Sequence, residues 1–157
     1  MRLRDMMGGA FDSAGFEYGD ELSHSWIDAA AGIKYPSIHD DDMTDSAFRK
    51  EMEKCQFERM AAVEALKEYC LTERLMYLRS IVGYGYRVVR SSDQTEAAVE
   101  DGMTMVARGF DKTLKGLRYT NTSCLTPAEV TRHAEVTAKF GTLQVFVSRK
   151  RRRIMRG

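Results

Sequence analysis

A chain of 157 residues is long enough for one domain with a real core, or for a small domain and an appendage. With 43% hydrophobic and 30% charged residues it is too apolar to be wholly disordered, and no stretch approaches the ~18 consecutive apolar residues of a membrane span. The formal net charge of +1 conceals an asymmetry, because Arg149, Lys150, Arg151, Arg152, Arg153 and Arg156 cluster without an acid among them and leave the remainder net negative.

Residues 1–22 contain four glycines and neither a helical nor an alternating apolar pattern. They read as a flexible N-terminal arm, able to dock through Phe11, Phe16 or Tyr18. Their charge and short apolar runs do not make a signal peptide. Ser25, with Asp28 three residues on, resembles a capping box for a short helix that Gly32 ends. A loop rich in turn formers follows, including His39, Asp40, Asp41 and Asp42. It lacks the ligand spacing of a calcium loop, and reads as a solvated acidic loop.

Thr44 can cap a helix from about Asp45 to Cys70. Phe48, Met52, Cys55, Ala62, Leu66 and Tyr69 form its apolar stripe, with a break near Gln56 left open. Residues 74–90 are rich in Tyr, Ile and Val, and Gly83 and Gly85 bracket Tyr84. Two short strands joined by a glycine-containing turn suit that composition better than a helix with two internal glycines at ~1 kcal/mol each. Ser91 or Ser92 then caps a helix whose Val99, Met103, Val106, Phe110, Leu114 and Leu117 step by three and four. A final helix starts at Thr126-Pro127-Ala128-Glu129 and carries Val130, Val136, Phe140, Leu143 and Val147. A short polar turn between two such helices predicts an antiparallel helical hairpin.

The stretch Ser80-Ile81-Val82-Gly83-Tyr84-Gly85-Tyr86-Arg87-Val88-Val89 resembles the C-terminal wing of winged helix-turn-helix DNA-binding domains, above all the output domains of OmpR-type response regulators. The order helix, loop, helix, hairpin extends the likeness over roughly residues 23–90, and small bacteriophage winged-helix proteins with a helical extension have a similar layout. The resemblance implies that Gly83 and Gly85 shape the turn, that Tyr86 and Val88 anchor the wing and that Arg87 faces a phosphate. Val82 stands where the family usually has an arginine, and no receiver domain precedes, so phosphorelay signalling is not implied.

The expected fold is therefore mainly α with a small β-hairpin (α+β). It comprises an arm at 1–22, a winged-helix-like domain at 23–91, a helical hairpin at 92–148 and a basic tail at 149–157. The expected function is nucleic-acid binding, duplex DNA favoured over RNA, in regulation or as a replication accessory. Arg49, Lys50, Lys54 and Arg59 would present a basic helix face, Arg79 and Arg87 a wing, and Arg149, Lys150, Arg151, Arg152 and Arg153 a phosphate anchor. Residues 92–148 would make a homodimer. Glu51, Glu53, Glu58, Glu64 and Glu68 on the same helix allow a plainly solvated surface instead. A non-catalytic assembly protein, or an inhibitor acting through protein contacts, is the competing reading. No enzyme constellation, metal or cofactor is expected. Cys55, Cys70 and Cys124, odd in number and far apart, fit reduced thiols in a cytoplasm, that of a host if the chain is viral.

Overall fold

The computed structural model describes the backbone of residues 2–37 and 44–154, with side chains up to Arg149. Its elements in chain order are α1 (Leu3–Ala14), β1 (Glu21–Ser23), α2 (His24–Ala31), α3 (Asp45–Glu73), β2 (Leu78–Ile81), β3 (Gly85–Val88), α4 (Gln94–Arg118) and α5 (Pro127–Ile154), with 3-10 turns at Ser91–Asp93 and Thr122–Cys124. The protein is mainly helical, with one three-stranded antiparallel sheet in the order β1-β3-β2. It divides into two units, Met1–Gln94 and Thr95–Gly157.

The N-terminal arm expected over 1–22 is instead an ordered helix followed by a strand. The glycines that argued against a helix include its point of contact with α3. A Cβ on Gly8 would lie 2.4 Å from the Tyr69 ring, so only a hydrogen lets α1 approach α3 this closely. Met7 and Phe11 on the same side are 0% and 2% exposed, and Gly15 ends the helix in the left-handed region at φ 69°. Polar bonds lock the pair along its length. Arg4 donates to Thr72 Oγ1 at 2.6 Å and to Glu73 Oε1 at 2.5 Å. Asp12 accepts from Tyr69 Oη at 2.6 Å and from Arg74 Nε at 2.8 Å.

α2 begins two residues earlier than a Ser25 cap would place it. Ser23 is the cap, its hydroxyl accepting from the Trp26 N–H, and Ser25 bonds to Ser23. Asp28 is drawn away from the expected capping box by Arg59. Thr44 caps α3 as the sequence suggests, and α3 then runs unbroken past Gln56 to Glu73. The hairpin forms as β2 and β3, in the register Leu78↔Val88, Arg79↔Arg87, Ser80↔Tyr86 and Ile81↔Gly85. β1 has no counterpart among the elements expected from the sequence, and pairs Glu21↔Arg87, Leu22↔Tyr86 and Ser23↔Gly85. Two bonds extend this ladder, Gly19 N–H to Val88 O and Val88 N–H to Asp20 O, both at 2.8 Å.

The core of the first unit gathers Met7, Phe11, Leu22, Ile27, Ala62, Val63, Leu66, Cys70, Leu78 and Val88 from both helices and sheet. Fully burying a side chain such as Leu66 contributes roughly 1.5–3 kcal/mol, which explains why so small a sheet is stable: its inner face is core. Tyr86 packs against this cluster from β3.

In the second unit, α4 and α5 form the expected helical hairpin. Phe110 and Phe140 meet with ring centroids 5.8 Å apart, and Gln144 donates to Asp111. Thr126 and Glu129 complete the capping box at its start, Glu129 Oε2 accepting from the Thr126 N–H at 2.8 Å. The helix does not stop at the basic segment, but carries its backbone through to Ile154. Cations on a last helical turn sit where the helix dipole favours them.

Candidate nucleic-acid interface

The first turns of α3 project beyond the core, since the earliest buried residue on this helix is Cys55. Arg49 and Lys50 lie in this stretch. Both are exposed, and neither forms an ion pair among the described residues. Lys54, one turn on, is held by Glu51 at 2.8 Å. Such an exposed i,i+3 pair contributes little stability and leaves the ammonium accessible.

Arg59 differs in kind. Its guanidinium makes a two-point ion pair with Asp28, Nε donating to Oδ1 at 2.6 Å, and lies 5.2 Å over the Tyr35 ring. The hydrogen bond to Asp28 holds the Arg59 pKa above its ordinary value, and burial pushes the Tyr35 hydroxyl up. Asp28 has a side chain only 13% exposed. Arg59 therefore joins α2 to α3, its charge engaged by Asp28 within the first unit.

Arg87, expected to face a phosphate, pairs across the sheet with Glu21 on β1 and keeps its side chain 56% exposed. Because β1 was not foreseen, neither was this carboxylate. Arg79 occupies β2 directly opposite Arg87 and is half-buried. The turn between β2 and β3 carries no cation. Val82 at its tip is 99% exposed and Tyr84 46%.

Arg149 is exposed near the end of α5. Lys150, Arg151, Arg152 and Arg153 follow on the same helical backbone, and their side chains fall outside the described residues, as do His39, Asp40, Asp41 and Asp42. Of the eleven cations singled out from sequence, Arg49 and Lys50 thus form no ion pair among the described residues, whereas Lys54, Arg59 and Arg87 are held in ion pairs.

What charge counting missed is the outward side of α3 beyond its first turns. Phe57 and Met60 are 62% and 63% exposed there. Their position in helical phase opposite Cys55, Ala62 and Leu66 was a signal available in the sequence. Among the described residues no group of His, Cys, Asp and Glu could hold a metal ion. Burial pushes the Cys70 thiol up to about 12, so it stays protonated and is no nucleophile at neutral pH. Among the described residues no helix is long and apolar enough to cross a membrane. No family model, curated protein or solved structure matches the chain.

Proposed function

We propose that the chain is a nucleic-acid-binding protein of winged-helix type that engages duplex DNA in a regulatory or replication-accessory role. The observation that carries this reading is the element order of the first unit, α1-β1-α2-α3-β2-β3, with β3 central in the sheet. A three-helix body closed by such a sheet, its last two strands forming the hairpin, is the layout of a winged helix. The exposure of Arg49 and Lys50 in the first turns of α3 supports the same reading, because recognition helices contact base edges with their N-terminal residues. One departure tempers the likeness to a helix-turn-helix: residues 32–44 separate α2 from α3, more than a tight three- or four-residue turn.

In this reading Arg49 and Lys50 meet the duplex and the basic end of α5 adds phosphate contacts. Arg87, being half exposed, can exchange Glu21 for a phosphate at small cost. The test is a mobility-shift titration with duplex, single-stranded and RNA probes at two salt concentrations. Replacing Arg49 and Lys50 with alanine should weaken duplex binding about tenfold or more. Removing residues 149–157 should flatten the salt dependence, its slope falling by roughly one for each phosphate that is no longer neutralised. Unchanged affinity and slope in both variants would refute the reading.

A second reading, a non-catalytic assembly or adaptor protein, is favoured by one observation. The middle of α3 presents an apolar pair between glutamates, a surface suited to protein and not to phosphate.

A further inference from the structure

Phe110 and Phe140 set the level at which α4 and α5 face each other, and the bond from Gln144 to Asp111 marks one flank of their seam. Helical phase then gives the residues of the other flank. On α4 these include Gly102, Val106 and Gly109, and on α5 Lys139, Leu143 and Phe146, in steps of three and four. The seam covers this flank only in part, since Val106 is 45% exposed, Leu143 48% and Phe146 59%.

The two halves of the flank differ in size. A Cβ added to Gly102 or Gly109 would meet nothing within 4 Å, so α4 has an open gap on either side of Val106. Glycine inside a helix costs about 1 kcal/mol relative to alanine, and no turn or positive φ calls for it at these two positions. On α5 the exposed ring of Phe146 projects at the level of Val106, because Phe110 is level with Phe140 and Asp111 with Gln144. Lys139, at the end of its stripe, can extend its ammonium to water.

We propose that two copies of the chain pair through this flank, with Phe146 of each seated between Gly102 and Gly109 of the other, against its Val106. Within one hairpin the ring and the gap lie side by side and cannot meet. A half-turn about an axis parallel to the helices lays α5 of one copy antiparallel over α4 of the other at the same level, so the fit is made twice. The product is a four-helix bundle. It supplies the apolar covering that the second unit lacks, in which Ala97 is the single buried residue among those described. The 25 residues of α4 span about 37 Å, and two helices ~10 Å wide offer roughly 700 Å² per copy, close to the ~800 Å² of a standard interface. Ordering a hairpin that has no core of its own offsets part of the gain. The chain should therefore be monomeric at low micromolar concentration and dimeric near millimolar. The self-association expected of residues 92–148 thereby acquires a flank and an arrangement.

Sedimentation velocity of the full chain, free of nucleic acid, across that concentration range tests this. Gly102→Gln with Gly109→Gln should raise the dissociation constant about tenfold or more. Glutamine forms helix better than glycine, so the loss cannot come from a weakened α4, and circular dichroism checks this. Phe146→Ala should have a similar effect. Gly141→Gln, on the flank of Asp111 and Gln144, should leave association unchanged, as should Phe57→Ser with Met60→Ser on α3. A chain monomeric at every concentration overturns the proposal. So does a dimer indifferent to the glycine and Phe146 variants, or one lost equally with the Gly141 or α3 variants. None of these outcomes depends on DNA binding, so this reading and the proposed function fail separately.

Discussion

Asp12 accepts a hydrogen bond from Tyr69 and another from Arg74, two donors on α3 and the residue after it. The Tyr69 bond, joined by the lesser effects of the Arg74 bond and charge, outweighs burial and holds its carboxyl below the usual carboxylate range. A carboxyl with a lowered folded-state pKa contributes stability that is present above its unfolded value and lost as the pH falls through the folded one. Asp12→Asn should therefore destabilise the protein at neutral pH, by no more than about 1 kcal/mol because the group is partly exposed. The difference should shrink towards zero in strong acid. Urea unfolding of both proteins at pH near 7 and pH near 3 checks this, and a difference that persists in acid would show that the loss is not electrostatic.

At the scale of elements, the sheet depends on a side chain that is absent. A Cβ on Gly85 would lie 1.9 Å from the Leu22 carbonyl oxygen, which is backbone and cannot turn aside. Gly85→Ala should push β1 away from β3, expose Leu22 and cost about 1–3 kcal/mol. Chemical denaturation measures the loss, and faster exchange of the Gly19 and Val88 amide protons, which bridge the same strands, locates it. Wild-type stability would mean that β1 contributes little. β2 and β3 are legible in composition and turn glycines, signals local to residues 74–90. β1 is not, because a three-residue strand has no period to detect, and α1 is not, because the role of Gly8 is legible only beside Tyr69.

For the whole molecule, the two units differ in what holds them. Every member of the core cluster falls between Met7 and Val88, whereas Ala97 is the single buried residue among those described in the second unit. Residues 1–94 should accordingly unfold cooperatively as an isolated fragment, while residues 95–157 alone should lose helicity gradually on heating, since an isolated helix pair without a core is marginal in water. Thermal melts of the two fragments by circular dichroism distinguish these outcomes. A sharp melt for 95–157 would show that the α4–α5 seam suffices unaided.

The chain by itself determined what depends on near neighbours: the helical character, the Thr44 cap and the Thr126–Glu129 box, the hairpin with its glycine turn, and the positions of the cations. Only the tertiary structure decided which cations remain available. An arginine has the same local signature whether it meets solvent or a carboxylate, and the partners of Arg59 and Arg87, Asp28 and Glu21, are distant in sequence. The exposed apolar pair on α3 follows the same rule. Periodicity shows which residues share a side of a helix, but packing alone determines which side is covered.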